Sequence, residues 1–544
     1  MHRILGFSLL CLTVILPVGC GRDETPTSPA TSTAPLANQF LDPDLAAGEI
    51  VLASGWEFAS DVPLPSRLAL LLEKCFGGFI QDFQREVITG DIVHYSIVLA
   101  VGPGEFDVIG LHRVVRERRP HVPIKAQNSL FLVHGMGKDF VGNFLPGRKS
   151  PLLPDDIGFA VFMAQNDIDV WGIDSSYTLV PPGLEDFGFA AGWGMDKSIN
   201  DIAAGIAVAR TVRLFTGNGW RKMTLFGYSQ GAIMGYAFLN RETQMPSGLR
   251  SVGSFIPVDW GLAFDDPDAQ ADECDYLTGY VDFWNDGVYG FDDDPDGFLA
   301  AVGYLAQTDP DDLSPFYEGF TNLEVFLFFT AVPSTLTPMH WWAGIYDSDG
   351  WPLDFAYTTR LMATEFWLHW APMHPPVHLW VDFHSINCEE SIWETNLAAI
   401  DLPVLSLEAA GGGGLAMAGT LDRLCSAEVT RHVVQLLGPD DAWRDFGHID
   451  LFTAEDAAML AWQPTLDWIT NLRGGDASDL PAVDVVLSSE ALDELRSLHP
   501  QVPSTGQYFN APAPAARPVA ATPASDEPSL PGRNVRLRQL PERR

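Results

Sequence analysis

The stretch KMTLFGYSQGAIMGYAFLNRE, residues 222–242, constrains this chain more than any other. A run of strand character (222–229) enters Gly227-Tyr228-Ser229-Gln230-Gly231 and leaves as a run of helical character (229–242). Gly-x-Ser-x-Gly at a strand-to-helix junction is the sequence form of a nucleophile elbow. The turn is strained, so the residues two before and two after the serine have to be small; Gly227 and Gly231 satisfy that. A hydroxyl is a weak nucleophile and has to be exposed, held still and paired with a base. The alternative is a serine that caps a helix after a glycine turn. The strand before and the helix after favour the elbow.

An elbow of this kind sits on a mostly parallel sheet, and the flanking sequence supplies one. HYSIVLAVG (94–102) and FDVIGLHRVV (106–115) read as a strand pair joined by Gly-Pro-Gly. NSLFLVHG (128–135) is a short apolar run, as a buried parallel strand is. GFAVFMAQN (158–166) is helix-like, and IDVWGID (168–174) is the next strand. SINDIAAGIAVARTVRLF (198–215) predicts an amphipathic helix with Ser198 at its N-cap. VGSFIPVDW (252–260) is a further strand. The alternation stops over 261–400, which is rich in acids and aromatics and carries eight of the 16 tryptophans. It resumes with strands at 402–410 and 431–438 and a helix at 454–472. Such alternation implies an α/β fold: a mostly parallel central sheet flanked by helices, interrupted by a large inserted cap or lid.

The expected organisation has a core in two parts, 39–260 and 401–474, around a cap at 261–400, followed by a C-terminal extension (475–504). The ends differ in composition. MHRILGFSLLCLTVILPVGC (1–20) has a short basic start and an apolar run, the form of a secretory signal, and Cys20 after Leu-Pro-Val-Gly is a candidate for lipidation in a bacterial lipoprotein. Residues 21–38 read as a disordered Ser/Thr/Pro/Ala tether and 505–544 as a disordered Pro/Ala-rich tail. The expectation is an exported protein, secreted or held in the cell envelope. Cys75, Cys274, Cys388 and Cys425 then allow two disulfides in three pairings, or free buried thiols. The net charge of −39 argues against nucleic-acid binding and against electrostatic docking on anionic lipid.

The elbow's partners come from position and chain order. Gln230 follows the serine, so its backbone N–H is a candidate oxyanion donor at a helix start. The second donor is expected from LVHGMGKDF, after strand 128–133, with the Met136 N–H in that place and His134 as a residue that shapes the loop. The order serine, acid, histidine puts the base late in the chain. His448, in DFGHIDLF, stands after the last strand signal and before the last helix; His432 opens a strand and suits packing. Asp422, in GTLDRLCSAE, is the expected acid, with Glu408 and Asp259 as alternatives. Its task is to hold the histidine tautomer and stabilise the imidazolium.

With these segments in order, the chain resembles an α/β-hydrolase and, within that superfamily, the neutral and acid lipases. VIGLHRVV, NSLFLVHGMG, GFAVFMAQNDIDVWGID, LFGYSQG and GHIDLF carry the resemblance, which covers about 106–260 and 402–472. It departs at Tyr228, where those lipases carry histidine, and at IDSSYT, which lacks their Asn-x-Arg-Gly run. The resemblance implies the fold and a Ser-His-Asp triad, with lipid or other esters as substrates.

Two features remain. Residues 336–384 are dense in Trp, Phe and Met, which suits an apolar acyl pocket, the cap's own core, or both. His340, His369, His374, His378 and His384 have no metal-ligand spacing. Asp292, Asp294 and Asp296 open like a calcium loop, but Gly303 stands where an EF-hand needs glutamate, so a solvated acidic loop is the favoured reading over calcium. The expected function is serine hydrolysis of carboxylic esters without a cofactor. Acyl transfer by the same residues and a non-catalytic surface binding protein are the alternatives, and oligomeric state is open.

Overall fold

The computed structural model describes residues 80–332, 339–348, 350–389 and 391–472. The expected leader with Cys20, the tether, Cys75, the C-terminal extension and the tail lie outside the described residues. The main sheet has ten strands. In chain order its strands are β1 (Ile80–Thr89), β2 (Ile92–Ala100), β3 (Val108–Arg119), β4 (Val122–Pro123), β5 (Ser129–Val133), β6 (Asp169–Asp174), β7 (Met223–Tyr228) and β8 (Val252–Val258). A two-stranded sheet, β9 (Gly344–Tyr346) and β10 (Pro352–Phe355), intervenes before β11 (Val404–Ala409) and β12 (Val429–Val434). The order across the sheet is β1-β2-β3-β6-β5-β7-β8-β11-β12, with β4 hooked onto β3. From β6 to β12 every neighbouring pair is parallel, while β1, β2 and β3 form an antiparallel edge.

The parallel strands are apolar on both faces because helices cover both. Phe131 and Val133 of β5 pack into one core, and Leu130 and Leu132 into the other. The same alternation sends Leu225 and Phe255 one way and Phe226 and Ile256 the other. The helices are α1 (Phe159–Gln165), α2 (Met195–Phe215), α3 (Gln230–Glu242), α4 (Pro267–Asn285), α5 (Phe298–Thr308), α6 (Asn322–Thr330), α7 (Arg360–Leu368), α8 (Val377–Cys388) and α9 (Gln463–Asn471). Residues of α2, α3, α4 and α8 share the first core; residues of α1 and α9 share the second.

Three local readings are corrected. β1, IQDFQREVIT, was not expected; it is a mostly exposed edge strand whose sequence has no apolar face to signal it. Helix α2 begins at Met195, and Ser198 lies inside it, donating back to Gly194 O at 3.2 Å. Asp382 of α8 does the capping from outside, accepting from Met195 N at 2.6 Å. The helix expected over 454–472 starts at 457 and opens with a π-turn, Ala458–Trp462, that passes directly into α9 at Gln463 with Pro464 in its first turn; Asp450–Thr453 is a separate short helix before it.

Between β8 and β11 the chain builds α4 to α8 and the β9–β10 sheet. Phe326, Trp342, Phe355, Phe366 and Trp367 form a core within this insert, joined by Ile449. Cys274 and Cys388 form a disulfide that ties α4 to α8, and Cys425 is exposed. Among the described residues, no helix is long and apolar enough to cross a membrane.

Candidate active site

Ser229 stands at the junction of β7 and α3 with φ 55° and ψ −120°, a left-handed-side backbone that a non-glycine residue adopts at a cost of about 1–3 kcal/mol. The crowding that holds it there is backbone. A Cβ on Gly227 would lie 2.2 Å from Gly231 O, and one on Gly231 would lie 2.5 Å from Val133 O. The amide of Ser229 donates to Val258 O at 3.0 Å, which locks the elbow to β8.

One residue further along β8 is Asp259, also at positive φ (51°). Tyr228 and Val258 are register partners, so Ser229 and Asp259 leave the sheet side by side at the same edge. Asp259 is buried and fully engaged. Its Oδ1 accepts from Ala409 N at 2.9 Å and Gly414 N at 3.0 Å, and its Oδ2 accepts from Gly413 N at 3.2 Å. The run Gly411–Gly414 wraps this carboxylate so closely that a Cβ on Gly412 would meet Oδ2 at 2.0 Å. The remaining contact is to His448, whose Nδ1 lies 2.7 Å from Asp259 Oδ2. His448 is 3% exposed and lies against the Tyr228 ring, stacked at 4.7 Å, with Trp260 edge-on at 5.8 Å. With Nδ1–H donated to the carboxylate, Nε2 is left as the base.

Asp259 therefore occupies the place expected for Asp422. Asp422 is exposed at the end of the short helix Gly419–Asp422, beside Asp265 and Arg431, and lines none of the cavity that holds Ser229. Separation along the chain favoured it, but the register of β8 beside β7 decides which acid lies at the elbow's edge. Glu408 is a structural partner: it accepts from Ser406 Oγ at 2.6 Å and from Arg431 at 2.6 and 3.1 Å. His432 packs, with Nε2 2.6 Å from Leu460 O.

A cavity of about 80 Å³ is lined by Ser229, His448, Met136 and Tyr228 together with Trp260, Met339, Trp341, Phe366 and Trp370. The loop after β5 reaches this cavity with Met136. Gly135 N is tied to Asn143 Oδ1 at 2.9 Å, and His134 is buried, bridging Ser175 N at 3.0 Å and Gly135 O at 2.8 Å. Burial lowers the His134 pKa, as suits a neutral ring that accepts at Nε2 and donates at Nδ1. The Gln230 side chain turns away from the elbow, its Oε1 accepting from Tyr177 OH at 3.3 Å.

The insert closes the site through backbone as well as rings. His448 N donates to His340 O at 3.0 Å, Ile449 N to Trp341 O at 2.8 Å, and Ala371 N to Gly137 O at 2.8 Å. Asp450 is fully buried and takes Gly447 N, Ala343 N and Thr358 Oγ1, so one carboxyl joins the histidine loop to the insert. The aromatic residues divide: Trp342 and Trp367 fill the insert's core, while Trp341 and Trp370 line the cavity. The insert's histidines are engaged separately. His340 bonds Asp445 O at 2.8 Å, His374 stacks on Phe291, and His378 stacks on Trp284. Asp294 accepts from Leu299 N and Ala300 N, each at 2.9 Å, so it caps α5. Among the described residues no three His, Cys, Asp or Glu side chains converge as a metal site.

No family model and no curated protein matches the chain. Solved structures similar to it include a "putative lipase" from Sulfolobus solfataricus, with 16% identity and a TM-score of 0.48 over 72% of this chain and 100% of that one. A soluble variant of monoglyceride lipase from Saccharomyces cerevisiae shows 10% identity and a TM-score of 0.39 over 72% of this chain and 96% of that one. A thermophilic esterase from Thermogutta terrifontis shows 13% and 0.35 over 69% of this chain and 97% of that one. The α/β-hydrolase fold of this chain is read from its own sheet order, elbow and Ser–Asp–His chain order.

Proposed function

We propose that this protein is a serine hydrolase of carboxylic esters, with Ser229 as nucleophile, His448 as base and Asp259 as the acid that orients it. The observation that carries the reading is the 2.7 Å contact of His448 Nδ1 with Asp259, in the same apolar cavity as a serine on a strained elbow. In this mechanism Ser229 Oγ attacks the ester carbonyl while His448 Nε2 takes its proton. The amides of Met136 and Gln230 hold the oxyanion; each such donor lowers the barrier by about 3 kcal/mol. His448 then protonates the departing alcohol, and water clears the acyl-enzyme by the reverse path. Tyr228 stacks on the imidazole, and Trp260 and Trp341 approach it at a steep angle, so the base sits among aromatic rings. The signal-like first 20 residues support export, with Cys20 as the residue for a lipid anchor.

The test is hydrolysis of p-nitrophenyl esters of rising acyl length by the full chain and by Ser229→Ala, with fluorophosphonate labelling of both. Turnover and labelling confined to the wild type are expected. No turnover and no labelling of either protein would overturn the reading and leave a surface binding protein built on a hydrolase fold.

A further inference from the structure

Among the described residues, Lys138 is the one lysine or arginine in the lining of the Ser229 cavity, and the triad has no use for it. It follows the Met136 turn and is 2% exposed. Its Nζ lies over the rings of Phe366 at 4.4 Å and Trp370 at 4.5 Å, and donates to the carbonyl of Phe366. An ammonium has three donors, and this is the one hydrogen bond Lys138 makes among the described residues. The neighbouring acid is committed elsewhere: Asp139 pairs with Lys149 and caps the next turn at Gly142 N. Asp293 acts on the lysine electrostatically but forms no ion pair or hydrogen bond with it among the described residues.

A buried cation without a carboxylate partner is costly, and an apolar side chain of similar length would fill the space without that cost. The position is explained if the partner arrives with the substrate. We infer that Lys138 is a specificity-determining residue that binds a carboxylate carried by the substrate, so that the preferred ester is a monoester of a short dicarboxylic acid. Lys138 and Ser229 line the same small cavity, which suits a short spacer between carboxylate and ester, and the cation–π contacts hold the ammonium in place without neutralising it. The inference rests on the ester-hydrolase reading above and adds the substrate's charge.

A second consequence concerns protons. Burial holds the Lys138 pKa well below that of a free lysine, with Lys149 lowering it further and Asp139 and Asp293 opposing; His369, paired with Glu365 at 3.8 Å, is the other titratable neighbour. A carboxylate seated on Nζ favours the charged amine and opposes the effect of burial.

The experiment uses full-length Ser229→Ala, which binds esters without turning them over. It is titrated by calorimetry with monomethyl succinate and with dimethyl succinate. The expected result is at least ten-fold tighter binding of the monoanion. Adding Lys138→Met should reduce the preference at least ten-fold, and Lys138→Arg should restore part of it. Equal or undetectable binding of the two esters by Ser229→Ala, or a preference that survives Lys138→Met, would overturn the inference. The first comparison needs no lysine variant, so it decides even if Lys138→Met fails to fold. Wild-type protein that binds the monoanion selectively but cleaves no ester would sink the hydrolase reading and leave the anion site standing.

Discussion

Asp259→Asn separates the two candidate acids and tests the triad with little change of shape. In the native site Oδ1 takes two backbone amides, from Ala409 and Gly414, and Oδ2 takes Gly413 N and His448 Nδ1. An asparagine keeps the first pair if its oxygen lies at the Oδ1 position. Its NH2 then faces Gly413 N–H, which loses its acceptor at a cost of about 1–3 kcal/mol. The same NH2 faces His448 Nδ1 and can only donate to it. The imidazole is driven into the tautomer with the proton on Nε2, which cannot accept from Ser229. Loss of the acid in such a triad lowers kcat about 10⁴-fold, equivalent to about 5 kcal/mol of barrier. The assay is kcat on a p-nitrophenyl ester, with Asp422→Asn beside it and melting temperatures for both. Asp259→Asn is expected to lose activity by that factor while remaining folded; Asp422→Asn, on the exposed surface, is expected to stay within about two-fold of wild type. More than a tenth of wild-type kcat in Asp259→Asn, or a matching loss in Asp422→Asn, would refute the reasoning.

Gly412→Ala puts a methyl 2.0 Å from Asp259 Oδ2, so it should lower kcat at least about 10²-fold by displacing the carboxylate. Gly248→Ala, with no atom within 4 Å of the new methyl, is the matched control; equal activity of the two variants would count against the cradle. Cys274 and Cys388 lie 114 residues apart, so Cys274→Ser with Cys388→Ser should cost up to about 5 kcal/mol in denaturant unfolding, and an unchanged midpoint would contradict the pairing. Burial pushes the Asp450 carboxyl up to about 7, against the amides of Ala343 and Gly447 and the Thr358 hydroxyl, which pull it down. Its folded pKa thus exceeds the unfolded value of about 4, so its contribution is present below pH 4 and is lost as pH rises to 7, by about 4 kcal/mol at most. Asp450→Asn should flatten that part of the stability profile, and an unchanged pH slope would show that the carboxyl does not titrate there.

Much of the architecture was legible because it is written in local pattern. The apolar run SLFLV, the sequence around Ser229, and the alternation on either side each encode an element without help from distant residues. The edge strand β1 was not, because an exposed edge has no apolar periodicity. The start of α2 was misplaced because its cap, Asp382, comes from 187 residues away. The acid was misjudged for a related reason. Asp259 ends a strand signal, and that position was weighed, but proximity to His448 along the chain favoured Asp422. A usable clue stood unread in AAGGGGLA. Four glycines after a strand mark a close approach, and here they approach Asp259.

What the sequence determined by itself is the parallel-sheet layout, the strand-to-helix turn at Ser229, and the segments that carry His448 and Met136 to the cavity. These depend on side-chain period, turn chemistry and chain order, all of which are local. Tertiary structure alone decided that Asp259 is the carboxylate in contact with His448, which tryptophans face the cavity, and that Lys138 is enclosed there without an ion-paired carboxylate among the described residues. Strand register places Asp259 beside Ser229, and the packing of the insert against the β5 loop buries the lysine. Both bring together residues far apart in sequence, and no local signal carries those distances.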